Sequence, residues 1–282
     1  MRTAPGFLIR RAQQVHVLLW QGRFQRALTG PQYGVLAALA TEGPIDQRRL
    51  GELTGLDKNT ASDVVRRLDQ RGWLAGAADP ADRRRRLWRL SEDAERELPG
   101  ITEQAALVQS DLLGGLTAAQ RPALVRLLRL LAFRGGPAPA VPAAEAPVLA
   151  FATTPGYLLR RSQQVHTALW ADLVGRELTG PQYGVLVSLA ERPGMDQVTL
   201  CSLAWLDQSS AADVVARLAG RALLHHRTQA RDPRRSELEL TAAGRRVLTR
   251  LTPKVRQVQE ALLEPLTAAQ GASLVSLLTR LG

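Results

Sequence analysis

The stretch DQRRLGELTGLDKNTASDVVRRLDQRGWLAGAADPADRRRRLWRLS, Asp46 to Ser91, decides the fold. Asp46 precedes a short apolar-periodic run to Leu53 and can cap a helix there. Gly55 marks a turn, Asp57 can cap a second helix from Lys58 to Arg71, and Gly72 stands where a helix-ending glycine belongs. Two short helices across a tight glycine-containing turn predict a helix-turn-helix. Short alternating runs then flank Asp79-Pro80 and Asp82, which predicts a two-stranded hairpin.

Working outward, Phe7 to Gln25 shows helical spacing of apolar residues, and Thr29 opens a second helix with Pro31 in its first turn. Beyond Ser91 the chain is helical again, with an interruption predicted at Pro99-Gly100 and a last amphipathic helix from Thr117 to Ala132. The order α-α-α-α-β-β-α-α is a winged helix framed by helices.

The frame occurs twice. Pro5-Gly6-Phe7 answers to Pro155-Gly156-Tyr157, an offset of 150 residues that never changes. LTGPQYGVL at Leu28 to Leu36 is identical to Leu178 to Leu186, Asp63-Val64-Val65 to Asp213-Val214-Val215, and LTAAQ at Leu116 to Leu266 onward. The period far exceeds a solenoid unit, so this is a duplicated domain. The expected division is a domain over 1–134, a Pro/Ala-rich linker over 135–154 and a second domain over 155–282. The linker reads as semi-extended, with reach enough for the two copies to pack on each other.

The 282 residues are 45% hydrophobic and 22% charged, an ordinary globular balance. No apolar run approaches the length of a membrane span, and no apolar signal core precedes the Arg10-Arg11 pair, so a cytoplasmic protein without membrane partners is expected. A net charge of +11 favours a polyanionic partner, nucleic acid ahead of an anionic membrane. Lys58 and Lys254 are the only lysines, so a part of that charge is compositional arginine. Cys201 stands alone, which excludes a disulfide framework within the chain and a Cys-rich zinc site.

The order LTxxQYxVL, then DQxxLxxLxxLD, then a wing DPxDRR followed by xLxxLS resembles the MarR family of transcription regulators, over nearly all of both copies. The resemblance implies a mainly α fold with small β-wings, as two tandem winged helix-turn-helix domains forming an intramolecular pseudo-dimer. Family members are usually homodimers held by their first and last helices. Their recognition helices enter successive major grooves, their wings touch minor grooves, and many leave DNA when a small aromatic or phenolic ligand binds. The partner so implied is double-stranded DNA. Two recognition helices must stand about one DNA turn, roughly 34 Å, apart, and two copies on one chain meet that need without a concentration-dependent association step, so a monomeric chain is expected.

In the first copy Val64, Val65 and Leu68 are expected to face the core, with Lys58, Asn59, Thr60, Ser62 and Arg66 toward the groove and Arg67 toward phosphate. The run Arg83, Arg84, Arg85 and Arg86 sits at the wing tip, where arginine gains from a narrow minor groove. Asp82 is expected to orient one of these arginines. A solvated charged face is the bland reading of both segments. The second copy departs: Lys58 becomes Gln208, Asn59 becomes Ser209 and Arg66 becomes Ala216, and its DNA-facing candidates are Gln208, Ser209, Ser210, Arg217, Arg234 and Arg235. Gly55 becomes Trp205 and Gly72 becomes Ala222, and a non-glycine residue in a left-handed position costs about 1 kcal/mol, so the turn and the helix end are expected to differ in shape. The second copy is expected to bind DNA more weakly or to read a different half-site.

A further phrase is repeated, RRAQQVHVLLW at Arg10 to Trp20 and RRSQQVHTALW at Arg160 to Trp170. Gln13, His16 and Trp20 share one helix face. They fit two readings. In one they are a bonded polar seam between the copies. In the other they line a ligand pocket with Tyr33, mirrored by Gln163, His166, Trp170 and Tyr183. No metal is expected, because no carboxylate or second histidine stands at ligand spacing on that helix and the neighbours His225 and His226 point apart on a strand. No Ser-His-Asp set or Gly-rich phosphate loop appears, so neither an enzyme nor a cofactor is expected. The leading expectation is a DNA-binding regulator, a repressor, responsive to a small hydrophobic or aromatic ligand. The alternative is a small-molecule-binding or sequestering protein on the same scaffold.

Overall fold

The computed structural model describes residues 3–138, 148–229 and 232–281, without the side chains of 228, 229 and 232–236. The chain forms two compact units, a larger one of Ala12–Gln163 with Ala268–Gly282 and a smaller one of Met1–Arg11 with Gln164–Thr267. These do not coincide with the two sequence copies.

In the larger unit, helix α1 (Pro5–Phe24, from Ala12 on) leads to α2 (Gly30–Glu42). Thr29 caps α2 in a capping box with Gln32, and a proline in the first turn fixes the entry. Strand β1 (Ile45–Asp46) precedes α3 (Gln47–Thr54) and α4 (Lys58–Gln70). Asp46 accepts from the Arg49 N–H at 2.8 Å, and Asp57 from the N–H groups of Asn59 and Thr60 at 3.0 Å, so both helices start where acidic caps satisfy their free donors. Leu36, Leu50, Val65, Leu68, Trp73 and Trp88 build one core beneath the helix-turn-helix. The wing is β2 (Leu74–Ala78) against β3 (Arg86–Leu90), with Leu74 opposite Leu90 and Ala78 opposite Arg86. The two-residue β1 adds to β3, giving the order β1-β3-β2. Such a strand is too short for any alternation to announce it.

Helix α5 (Glu92–Leu112) runs through Pro99 without the interruption predicted there. Pro99, Gly100 and Glu95, whose carbonyl loses its N–H partner, are all exposed residues, while Ala94, Leu98, Ala105 and Val108 hold the buried stripe. Helix α6 (Gln120–Ala132) follows, and α12 (Ala268–Leu278) packs against it. The first turns of α7 (Pro155–Leu173) also belong to the larger unit, so a segment of the second copy completes it. The described end of the linker is not an extended spacer. Residues 151–153 form a turn, Ala152 is fully buried, and Val148, Leu149 and Phe151 pack on the core, because this end carries the apolar side chains that the Pro/Ala stretch lacks.

The smaller unit takes the first turns of α1, including Phe7 and Arg10, and the rest of α7. Then come α8 (Gly180–Glu191), α9 (Gln197–Ala204), α10 (Gln208–Gly220), the hairpin β4 (Leu224–Gln229) with β5 (Asp232–Leu240), and α11 (Ala242–Leu263). The expected change of shape at Trp205 and Ala222 does not occur. Trp205 has φ 50° and ψ 55° where Gly55 has 64° and 37°. Ala222 has φ 52° where Gly72 has 75°. The Leu223 N–H reaches the Leu218 carbonyl at 3.0 Å, as Trp73 reaches Leu68 at 3.0 Å. Packing of Leu200, Val215 and Leu218 imposes the same path, and the residues absorb about 1 kcal/mol of strain each.

Candidate functional site

Helix α4 presents Lys58, Asn59, Thr60, Ser62, Arg66 and Arg67 on its exposed face, with Ala61, Val64, Val65 and Leu68 buried behind. These side chains are not equally available. The Thr60 hydroxyl is held by Asp57 in the cap. Asp63 lies between Arg66, with which it pairs closely, and Arg67, whose Nε is 2.8 Å away. The side chains of Lys58, Asn59 and Ser62 have no bonded partner among the described residues.

The wing tip is shaped by acids, but not in the expected way. Asp82 does not orient an arginine side chain. Its carboxylate accepts the Arg84 backbone N–H at 3.0 Å and so closes the turn. Arg85 is instead drawn back to Asp46, with Nε 3.1 Å from the carboxylate, and lies 3.8 Å from Asp79. The Arg49 N–H and then Arg85 hold the Asp46 carboxyl below its usual range. Arg86 lies over the Trp88 ring, 4.5 Å from its centroid, and crosses β2 at Gly76, where a β-carbon would overlap its guanidinium. Of the four wing arginines, only Arg83 and Arg84 are free of a side-chain partner among the described residues.

In the smaller unit, Gln208 and Ser209 are exposed at the start of α10, and Ser210 is tied to its cap, Oγ 2.6 Å from Asp207. Arg217 pairs with Asp213 at 3.4 Å. The side chains of Arg234 and Arg235 lie outside the described residues.

The repeated phrase builds a second site. In the larger unit Trp20 stacks on Phe24 with centroids 4.6 Å apart, meets Tyr33 at 5.7 Å and His16 at 5.8 Å, and donates its indole N–H to the Leu28 carbonyl at 2.7 Å. Gln13, His16, Trp20 and Tyr33, four residues nominated from the sequence, line one cavity of about 530 Å³. Its aromatic wall also includes Phe151 and Tyr157. Three arginines, Arg26, Arg67 and Arg160, reach it, and no Asp or Glu does.

Sequence reasoning missed Gln109, which sits on α5, 93 residues from His16. Its Oε1 accepts the Gly156 N–H at 2.8 Å, so its amide nitrogen faces His16 Nε2 at 3.1 Å. An amide nitrogen only donates, so His16 Nε2 accepts and the ring proton stays on Nδ1. That Nδ1 is buried and has no partner, and neither has Gln13 Oε1. Burial and then Arg160 push His16 down to about 4, so the ring is neutral near pH 7. Gly156 is required here, since a β-carbon would overlap the imidazole. Arg160 donates to the Thr54 carbonyl at 2.6 Å and, although pushed down to about 10 by burial, keeps its charge near neutrality. The missed glutamine had a signal: Val108-Gln109 recurs as Val258-Gln259.

The smaller unit repeats the motif. The Gly6 N–H donates to Gln259 Oε1 at 2.8 Å, Gln259 Nε2 lies 3.3 Å from His166 Nε2, and Trp170 stands 5.9 Å from His166 and 5.8 Å from Tyr183. Burial and then Arg10 push His166 down to about 4. Gln163 lies one helical turn before His166 on α7, at the boundary between the two units. Among the described residues no three His, Cys, Asp or Glu gather as a metal site, and no single helix is long and apolar enough to cross a membrane.

Residues 28–85 match the MarR family. The transcriptional regulator HosA of Escherichia coli O157:H7 is 34% identical over 123 residues, which cover 44% of this chain and 90% of HosA. The transcriptional repressor NicR of Pseudomonas putida is 33% identical over 125 residues, 44% of this chain and 79% of NicR. The Streptomyces coelicolor regulator PcaV, solved with its natural ligand, is 42% identical, covers 47% of this chain and 94% of its own, and superposes with a TM-score of 0.46. With nine-tenths of a 34% identical regulator aligned on a helix-turn-helix and wing, this chain belongs to the MarR family of transcription regulators.

Proposed function

We propose that the chain is a cytoplasmic repressor that acts as a fused pseudo-dimer, with copies over 1–134 and 155–282 joined by 135–154, and reads duplex DNA with α4 and α10. The observation that carries this is the first turn of α4. Lys58, Asn59 and Ser62 are exposed and uncommitted on a helix whose core face and cap are fixed, as early recognition-helix residues that meet base edges must be. The free tip pair Arg83 and Arg84 supplies the wing contact. Pairing of the copies within one chain is supported by the make-up of the units, each of which takes first-helix turns from both copies.

The cavity beside Trp20 is the ligand site in this reading. Aromatic walls, three cations and no acid suit an aromatic ring carrying a carboxylate or phenol oxygen. The His16 Nδ1–H and Gln13 Oε1 offer one donor and one acceptor to it. His166, Trp170 and Tyr183 serve the second copy. Arg67 lines the cavity and also belongs to α4, so a bound anion competes with DNA phosphate for it. A ligand that prefers the DNA-free arrangement then lowers DNA affinity.

Gel-shift titration against the promoter beside the chain's own gene tests the reading. Salt-sensitive, sequence-selective binding is expected, with Arg84→Ala weakening it across sequences and Asn59→Ala relaxing preference at one position. Loss of the Lys58 and Arg66 charges in α10 favours a sequestering protein as the second reading, and ligand binding without any selective DNA binding would establish it.

A further inference from the structure

We propose that the end of the linker is part of the ligand site, with Leu149 and Phe151 setting the size of the ring that the cavity beside Trp20 accepts. This rests on the reading of that cavity as a ligand site. Leu149, Phe151 and Thr154 line it, although the sequence assigns them to a connector. The segment is built in at both ends. At one end the Leu149 N–H donates to Tyr33 Oη at 2.9 Å. At the other, Thr154 donates through its N–H and hydroxyl to the Ala150 carbonyl, at 3.0 and 2.7 Å, and the Thr154 carbonyl receives the Leu158 N–H of α7 at 3.0 Å. Between them Phe151 lies against the Tyr157 ring, centroids 4.8 Å apart, and approaches α2 at Gly34.

The linker also changes which polar groups face a ligand. Tyr33 Oη donates to Thr102 Oγ1 at 3.2 Å and accepts from Leu149, so the phenol is occupied on both sides. Beside the arginines, uncharged polar anchoring falls to Gln13 and His16, and Tyr33 becomes a wall. Residues 148–154 belong to the larger unit together with Gln13, His16 and Trp20, so the segment is part of that unit's own site.

The test is calorimetric titration of the full chain with 4-hydroxybenzoate, one ring, and 6-hydroxy-2-naphthoate, two rings. Phe151→Ala is expected to shift the ratio of the two affinities toward the larger probe by about tenfold or more, and Phe151→Trp to shift it the other way. Phe151→Trp keeps the apolar bulk, so the test survives if the alanine variant does not fold. Val148→Ala, a core change outside the cavity lining, is expected to leave the ratio unchanged, which separates ring selection from general loosening. If both Phe151 variants keep the wild-type ratio while His16→Ala abolishes binding, the linker is only a connector and the inference falls alone. If the wild type binds neither probe, the ligand-site reading falls and takes the inference with it.

Discussion

Helices α4 and α10 have matching frames and very different surfaces. Both are capped by an aspartate, Asp57 and Asp207, and both bury Leu68 or Leu218 completely. Each follows a turn held in the left-handed region and ends at a left-handed residue, even where glycine has been lost. On the exposed side Lys58, Asn59 and Arg66 face their replacements Gln208, Ser209 and Ala216. Core packing therefore fixes the backbone strongly enough to hold Trp205 and Ala222 in a strained conformation, and the solvent-facing positions are left free to change. The difference teaches that the copies diverged on the exposed face of this helix and kept how it is built.

The comparison breaks most visibly in the core. Leu68→Ala and Leu218→Ala are each expected to cost about 2–5 kcal/mol in urea unfolding, because both side chains are fully buried. Tolerance of one and not the other would show that the frames are not equivalent.

Acid treats the copies alike. His16 and His166 are each held near 4, against 6.5 when unfolded, so the folded state refuses a proton that the unfolded state takes. Each contributes stability that is fully present above pH 6.5 and is lost as pH falls toward 4, about 3 kcal/mol per ring. Unfolding followed from pH 7 to pH 4 should show this slope, and replacing either histidine by Gln should remove about half of it.

On DNA the copies should separate. Lys58→Gln with Arg66→Ala, which gives α4 the residues of α10, is expected to cost about 1–3 kcal/mol per lost contact and to flatten the salt dependence by about two charges. Gln208→Lys with Ala216→Arg should do the reverse. Fluorescence anisotropy at several salt concentrations reads both, and equal responses from the two helices would contradict the divergence.

The smallest effect sharpens the strain argument. Ala222→Gly should stabilise by about 0.5–1 kcal/mol and Gly72→Ala should destabilise by as much. Trp205→Gly should gain less, since the Arg11 guanidinium lies 4.2 Å from the Trp205 ring centroid and that contact is lost.

Much of this frame was legible because it depends on neighbours in sequence. The helix starts at Thr29, Asp46 and Asp57, the wing between Leu74 and Leu90, and the buried Val64, Val65 and Leu68 all follow from local chemistry and spacing. Long-range partners were not legible. Gln109 finds His16 from another helix, and Asp46 takes Arg85 from across the wing before Asp82 can. Pro99 marks a break by local rules, yet the exposed side of α5 tolerates the missing bond. The linker end hid its role because composition describes reach and says nothing about which groove an apolar VLAF will fill.

Gly156 above His16 and Gly6 above His166 have a consequence for inheritance. Each contact joins a residue of one copy to a residue of the other, and both residues are encoded in the same gene. In the fused pseudo-dimer proposed above, each half finds its complement in its own chain and needs no second subunit. In that arrangement a mutation in α10 would not be diluted by pairing with an unmutated subunit, and it would not have to appear on both sides of an operator. Fusion of that kind would let the two halves be selected separately.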